Sequence, residues 1–228
     1  MQDYQVSRHF NKFLFGGRNM LPDYPHLILF LTATILLNLT PGNDVLYIAS
    51  QSLSSSRQGI IAAFGISVGI GIYILATAFG VSEIFRRLPL LFDLIKIAGA
   101  IYLLYLAWKA FFNKSRISMN KDVIKKSTRK SFYMGICTTL LNPKVGIFFI
   151  TFLPQFTDSS RGKMALQLLS LGGCFILSGT LINLMYAVLI GRCKERILTK
   201  SYVQSWLNKI SALIFCVLAI KVFTTKST

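Results

Sequence analysis

The chain has 228 residues, of which 53% are hydrophobic and only 14% charged, with a mean hydropathy of +0.56. Apolar runs this long exceed what a soluble core holds, so the composition is that of an integral membrane protein. A formal net charge of +17 would suggest nucleic acid for a soluble protein, yet most basic residues fall in short loops between apolar segments, and topology accounts for them without DNA.

In chain order, residues 1–18 are polar and weakly patterned. Phe13-Leu14-Phe15 is too short for the apolar core of a secretory leader, and Met20-Leu21-Pro22-Asp23 reads as a more natural beginning. Residues 1–20 are therefore expected to be a disordered extension or a start-site artefact, ahead of a single transmembrane domain over 21–228. Six apolar segments follow, 27–49, 59–85, 88–112, 132–156, 164–191 and 206–223, each long enough to span a bilayer as a helix.

Inside the first segment lies Asn38-Leu39-Thr40-Pro41-Gly42-Asn43-Asp44. Pro41 removes a backbone donor and Gly42 weakens the turn, freeing carbonyls that a lipid-facing helix could not leave unpaired; this backbone is expected to face protein or water. An aspartate near membrane depth costs about 2.5–3.5 kcal/mol on insertion scales and marks a transport path or proton relay. The alternative is a kinked structural helix with Asp44 snorkelling to the surface.

The second segment carries Gly65 and Gly69 and the fifth Gly172, Gly173 and Gly179, spacings that suit close helix packing more than a solute path. Glu83, Arg86 and Arg87 belong to a tight hairpin, and Asp93 and Lys96 are placed for a local ion pair. Tyr102, Tyr105 and Trp108 form an aromatic stripe that reads as an interfacial anchor. Asn183, near Ser178 and Thr180, reads first as a cross-helix hydrogen-bonding residue, with contact to solute as its alternative. The first, third and fifth connections carry twelve basic residues and the opposite side eight, so the loop 113–130 is expected to be cytoplasmic and both termini outside. Cys137, Cys174, Cys193 and Cys216 show no paired spacing, and His9 and His26 are the only histidines. No disulfide, metal site or cofactor is expected.

The fourth segment repeats the interruption of the first with Leu141-Asn142-Pro143-Lys144. Each break falls in the first helix of a three-helix group. Because three is odd, two successive groups insert with opposite orientations, which predicts an all-α membrane protein of six transmembrane helices in two inverted repeats, with its site where the broken helices meet. A chance pair of tolerated prolines is the alternative.

Thr40-Pro41-Gly42-Asn43-Asp44-Val45-Leu46 resembles the T-P-G-P-[ND] signature of the lysine exporter family (LysE/RhtB, amino-acid export translocators). Ser52-Leu53 with residues 59–69, the run from Tyr102 to Lys109, Leu140-Leu141-Asn142-Pro143-Lys144, and Phe152-Leu153-Pro154-Gln155-Phe156 resemble its second, third and fourth helices. The likeness covers roughly residues 21–223. It implies a six-helix exporter of the bacterial cytoplasmic membrane that expels amino acids or their derivatives against proton entry. Asn43 stands where the family usually has a second proline, which leaves Pro41 the sole breaker there.

A zwitterion crossing a low-dielectric layer needs partners of both signs. Asp44 is the candidate for the ammonium group and for a proton. Lys144 is the candidate for the carboxylate or for Asp44 itself, with a permanent anchoring role as its alternative. Asn43, Asn142 and the backbone around Pro41, Gly42 and Pro143 would add neutral hydrogen bonds. The expected partners are a small amino-acid substrate, protons and lipid, with no nucleic acid and with self-association left open. An intramembrane enzyme would need a second converging acid or a serine-histidine pair, and an inorganic-cation exporter would need several converging hard or thiolate ligands; both sets are incomplete.

Overall fold

The computed structural model describes residues 22, 24–40, 42–112, 127–158 and 162–193, with scattered helical positions within 206–220. The expected extension 1–20 and most of the loop 113–130 lie outside the described residues. All regular structure among the described residues is helical: α1 (Tyr24–Leu39), α2 (Asn43–Ser54), α3 (Ser56–Ala76), α4 (Ser82–Arg87), α5 (Pro89–Phe112), α6 (Thr128–Leu140), α7 (Pro143–Ile147) and α8 (Met164–Cys193). A π-helical turn, Thr77–Val81, joins α3 to α4.

Local chemistry explains the boundaries. Thr40 is the last residue of the first segment that can hold the α1 ladder: its N–H reaches Leu36 O at 3.0 Å and Leu37 O at 3.2 Å, its hydroxyl also donates to Leu36 O, and the residue after it is a proline with no N–H. Gly42 is extended and α2 begins anew at Asn43. Ser55 ends α2 and caps α3, its hydroxyl accepting from Gln58 N–H at 3.2 Å. In the fourth segment Asn142 caps α7, accepting from Lys144 N–H at 3.1 Å, with Pro143 at the first helical position. Pro154 then prevents a regular continuation. The chain widens into a π-helix over Phe148–Phe152 and tightens into a 3₁₀ turn over Leu153–Phe156.

Among the described residues two helices are long and apolar enough to cross a membrane, Ser56–Val81 and Met164–Arg192. The number rises to four if each bent pair is one span: His26–Leu39 with Asn43–Ser54, bent by 47°, and Thr128–Leu140 with Pro143–Phe156, bent by 51°. The first and fourth expected segments are thus interrupted helices, broken where the prolines stand. The third expected segment coincides with α5, and the sixth is described only at scattered helical positions within 206–220.

Packing centres on α3, which lies between α6 and α8 and also contacts α2. Small residues set its distance from α6. A Cβ on Gly65 would collide with the Phe132 carbonyl, one on Gly135 would sit 2.6 Å from Ala62 O, and one on Gly69 would lie 2.9 Å from Thr139 Cβ. The expected glycine packing is therefore present at Gly65 and Gly69, and at Gly172 and Gly179 of α8 but not at Gly173, and it brings α3 against the first half of the second broken span. Phe148, Phe149, Phe152 and Phe175 fill the interior with ring centroids about 5 Å apart, and outward positions such as Phe79, Leu177 and Leu181 are exposed apolar side chains, as a lipid-facing surface requires. Tyr105 and Trp108 of the aromatic stripe are exposed as well. Arg87 pairs with Glu83 within the hairpin.

Candidate functional site

Each helix break leaves backbone carbonyls without their usual i+4 donors, and at membrane depth every one of them needs another partner. At the first break Leu37 O would have been served by the N–H that Pro41 lacks; it accepts instead from Lys144 Nζ at 3.0 Å. The same ammonium donates to Thr40 O at 3.0 Å, and Tyr186 of α8 donates its phenol hydrogen to Leu39 O at 3.0 Å. At the second break Leu140 O accepts from the Tyr73 hydroxyl at 2.8 Å, while Leu141 and Asn142 N–H groups turn back to Cys137 O and Thr139 O. The two interruptions are thus joined directly: the lysine that follows the second proline satisfies the carbonyls freed by the first.

The charges sit where the half-helices favour them. α1 has no basic residue in its last turn, and Lys144 supplies a cation to that negative end from another segment. Asp44 lies in the first turn of α2, at the positive end of a helix. Thr139 of α6 donates to Asp44 Oδ1 at 3.3 Å, and Lys144 is its electrostatic partner across the site. The lysine spends hydrogen bonds on carbonyls, so it holds the first break open as well as facing the acid.

Leu37, Thr40, Gly42, Asp44, Asn142 and Lys144 line one internal cavity together with Asn38 of α1, Ile70 of α3, and Phe175 and Asn183 of α8. Its volume is about 20 Å³, room for about one water molecule. An amino acid does not fit the site in this conformation. Of the residues singled out in the sequence, Gly42, Asp44, Asn142 and Lys144 come together here. Asn43 is exposed at the start of α2 and Pro143 is exposed at the start of α7; neither lines the cavity, and Pro41 lies outside the described residues.

A second polar cluster closes one end of the interface between α2 and α6. Asp44, Tyr47 and Gln51 are spaced for one face of α2, and Ser131, Gly135 and Thr139 for one face of α6. Ser131, fully buried, places its hydroxyl 2.9 Å from Gln51 Oε1 and 2.8 Å from Gln58 Oε1, and its carbonyl accepts from Tyr47 OH at 3.0 Å. One hydroxyl hydrogen serves one glutamine oxygen at a time. Thr139, Tyr73, Tyr186, Asn38 and this cluster were not among the candidates read from the sequence. The only available signal was helical spacing, for Phe175, Gly179, Asn183 and Tyr186 share a face of α8 that turns to the first break.

A chain whose regular structure is helical throughout the described residues, with candidate spans that bring an acid, a lysine and three amides to one cavity where two helices break, is a membrane translocator. The comparisons with known proteins give the family: residues 35–226 match the LysE type translocators, and the chain belongs to that family. It is 27% identical over 205 residues to the uncharacterized membrane protein YrhP of Bacillus subtilis (strain 168), an alignment covering 86% of this chain and 97% of that one. It is also 29% identical over 164 residues to the homoserine/homoserine lactone efflux proteins of Salmonella typhimurium (strain LT2) and Salmonella typhi, covering 72% of this chain and 79% of each relative. No solved structure matches. The family resemblance carried by Thr40 to Leu46 and Leu140 to Lys144 is the one the comparisons give.

Proposed function

We propose that this protein exports amino acids or amino-acid derivatives across the bacterial cytoplasmic membrane in exchange for protons. The observation that carries the reading is the meeting of Asp44 and Lys144, one from each broken span, at a single internal cavity. The names of the Salmonella relatives, which specify efflux of homoserine and its lactone, favour a small polar amino acid as cargo.

In this reading the whole domain 21–228 consists of six spans in two inverted three-helix repeats, with both termini outside and the loop 113–130 in the cytoplasm. Asp44 receives the substrate ammonium group and, in the unloaded state, a proton; exchanging one for the other couples outward cargo to inward proton flow. Lys144 supports the carbonyls freed at Pro41 and supplies positive potential toward the substrate carboxylate. Gly42 borders the lysine, where a Cβ would stand at ordinary van der Waals distance from its ammonium and stem. Asn142 and Pro143 set the start of the second half-helix, and Asn43 the start of the first, on its outer side. Opening of the cavity, which the two bends permit, admits the substrate.

The rivals are an intramembrane enzyme, which would alter its substrate without moving it, and an inorganic-cation exporter, which would call for several converging carboxylates or thiolates. Purified protein in proteoliposomes with an imposed pH gradient separates them. Gradient-dependent movement of chemically unchanged amino acid supports the proposal. Conversion of the solute, or movement of metal ions in its place, refutes it.

A further inference from the structure

We infer that Asn183 of α8 reads the substrate's side chain, and that the site accepts neutral amino acids bearing a hydroxyl or carbonyl there in preference to apolar or charged ones. The inference rests on the exporter reading of the same cavity. Asn183 is 6% exposed and lines the cavity that holds Asp44 and Lys144. Its amide offers two donors and an acceptor, and among the described residues nothing pairs with them.

The neighbouring polar groups are otherwise engaged. The Asn38 amide donates to Ser178 Oγ at 3.4 Å, the Asn142 carbonyl oxygen caps α7, Tyr186 donates to Leu39 O, and Ser67 Oγ lies 2.7 Å from Thr180 Oγ1. Of the two readings of Asn183 in the sequence, a cross-helix bond or contact with solute, its place in the cavity lining favours the second. An amide that faces a cavity without a protein partner takes its hydrogen bonds from whatever the cavity holds, water or a substrate group. The rest of the lining sets the class of that partner. Asp44 and Lys144 supply its charges, so once the substrate ammonium and carboxylate have met them, a third charge on the side chain has no counterion. Val45, Ile70 and Phe175 are apolar. A neutral hydrogen-bonding group is the one kind of side chain that Asn183 serves and that the remaining wall tolerates.

The test is counterflow into proteoliposomes with two probes of equal size, L-homoserine and L-norvaline, in which a methyl replaces the hydroxyl. The unmodified protein is expected to favour homoserine by at least about tenfold, because a site built to hydrogen-bond a hydroxyl rejects the analogue lacking it. Asn183→Leu is expected to bring the ratio near unity mainly by loss of homoserine counterflow, with norvaline counterflow retained as the sign of an intact carrier. A wild-type preference that persists in Asn183→Leu overturns the assignment. If the leucine variant moves neither probe, Asn183→Ser decides: its small hydroxyl should restore part of the homoserine preference, and equal loss of both probes overturns the inference. A wild-type protein that moves neither these nor any other amino acid overturns the exporter reading itself, and with it this one.

Discussion

Replacing Lys144 with methionine preserves the length and the apolar stem of the side chain while deleting its charge and its hydrogen bonds. In the folded protein the ammonium donates to Leu37 O and Thr40 O, each at 3.0 Å. Leu37 O keeps a second donor, Thr40 N–H at 3.2 Å, so the uncompensated loss falls chiefly on Thr40 O. Hydrogen bonds between membrane helices average about 0.6 kcal/mol and reach about 1.7 kcal/mol, so two of them set a destabilisation of about 1–3 kcal/mol. Asp44 also loses its electrostatic partner, which adds to the cost while the acid is ionised. Unfolding titrations of the purified protein, followed by helical circular dichroism, should show a loss in this range, and pairing Lys144→Met with Asp44→Asn should recover part of it. A lysine-to-methionine variant as stable as the parent would refute the claim that Lys144 carries the carbonyls of the first break.

Three further substitutions probe the joints around the cavity. Tyr186→Phe removes the donor to Leu39 O and should cost about 1 kcal/mol in the same titration; no change would mean that carbonyl finds another donor. Gly65→Leu places side-chain atoms where the Phe132 carbonyl stands and should destabilise by about 1–3 kcal/mol through forced separation of α3 from α6. Retained stability would show that these helices are not held at close range. Ser131→Ala removes the donor available to the buried Gln51 oxygen and the half-buried Gln58 oxygen and should lower stability by about 1–3 kcal/mol, measurable as a lower midpoint in the same unfolding experiment. An unchanged midpoint would argue that the glutamines re-pair with each other.

The two breaks were legible in the sequence because proline and glycine amid polar residues have no bland reason to interrupt an apolar run, and both appear where Pro143 and the stretch from Asn38 to Asp44 predicted them. The first five apolar segments correspond closely to helices, although α2 runs on to Ser54 and α6 begins at Thr128. What stayed hidden is pairing in three dimensions. Lys144 is adjacent in sequence to one break and serves the carbonyls of the other, a relation no local spacing encodes. Tyr73 and Tyr186 stand in helices whose apolar neighbours make a tyrosine look like filler, yet each satisfies a backbone oxygen a broken helix abandoned. Asn43 and Asn142 belong to the two matching motifs and look equivalent, but one faces outward at the first position of α2 while the other is buried as a cap. Helix phase relative to neighbours decides which residue enters the cavity, and in uniformly apolar segments that phase leaves little trace.

The most direct measurement compares Asp44→Asn with the unmodified chain in sealed proteoliposomes, following labelled amino acid in two modes: net export against an imposed pH gradient, and exchange of internal for external amino acid with no gradient. If Asp44 alternates between a proton and the substrate ammonium, the variant, which cannot carry the proton, should lose gradient-driven accumulation entirely, with whatever exchange remains insensitive to pH. Accumulation that tracks the pH gradient as strongly in Asp44→Asn as in the parent would contradict the mechanism.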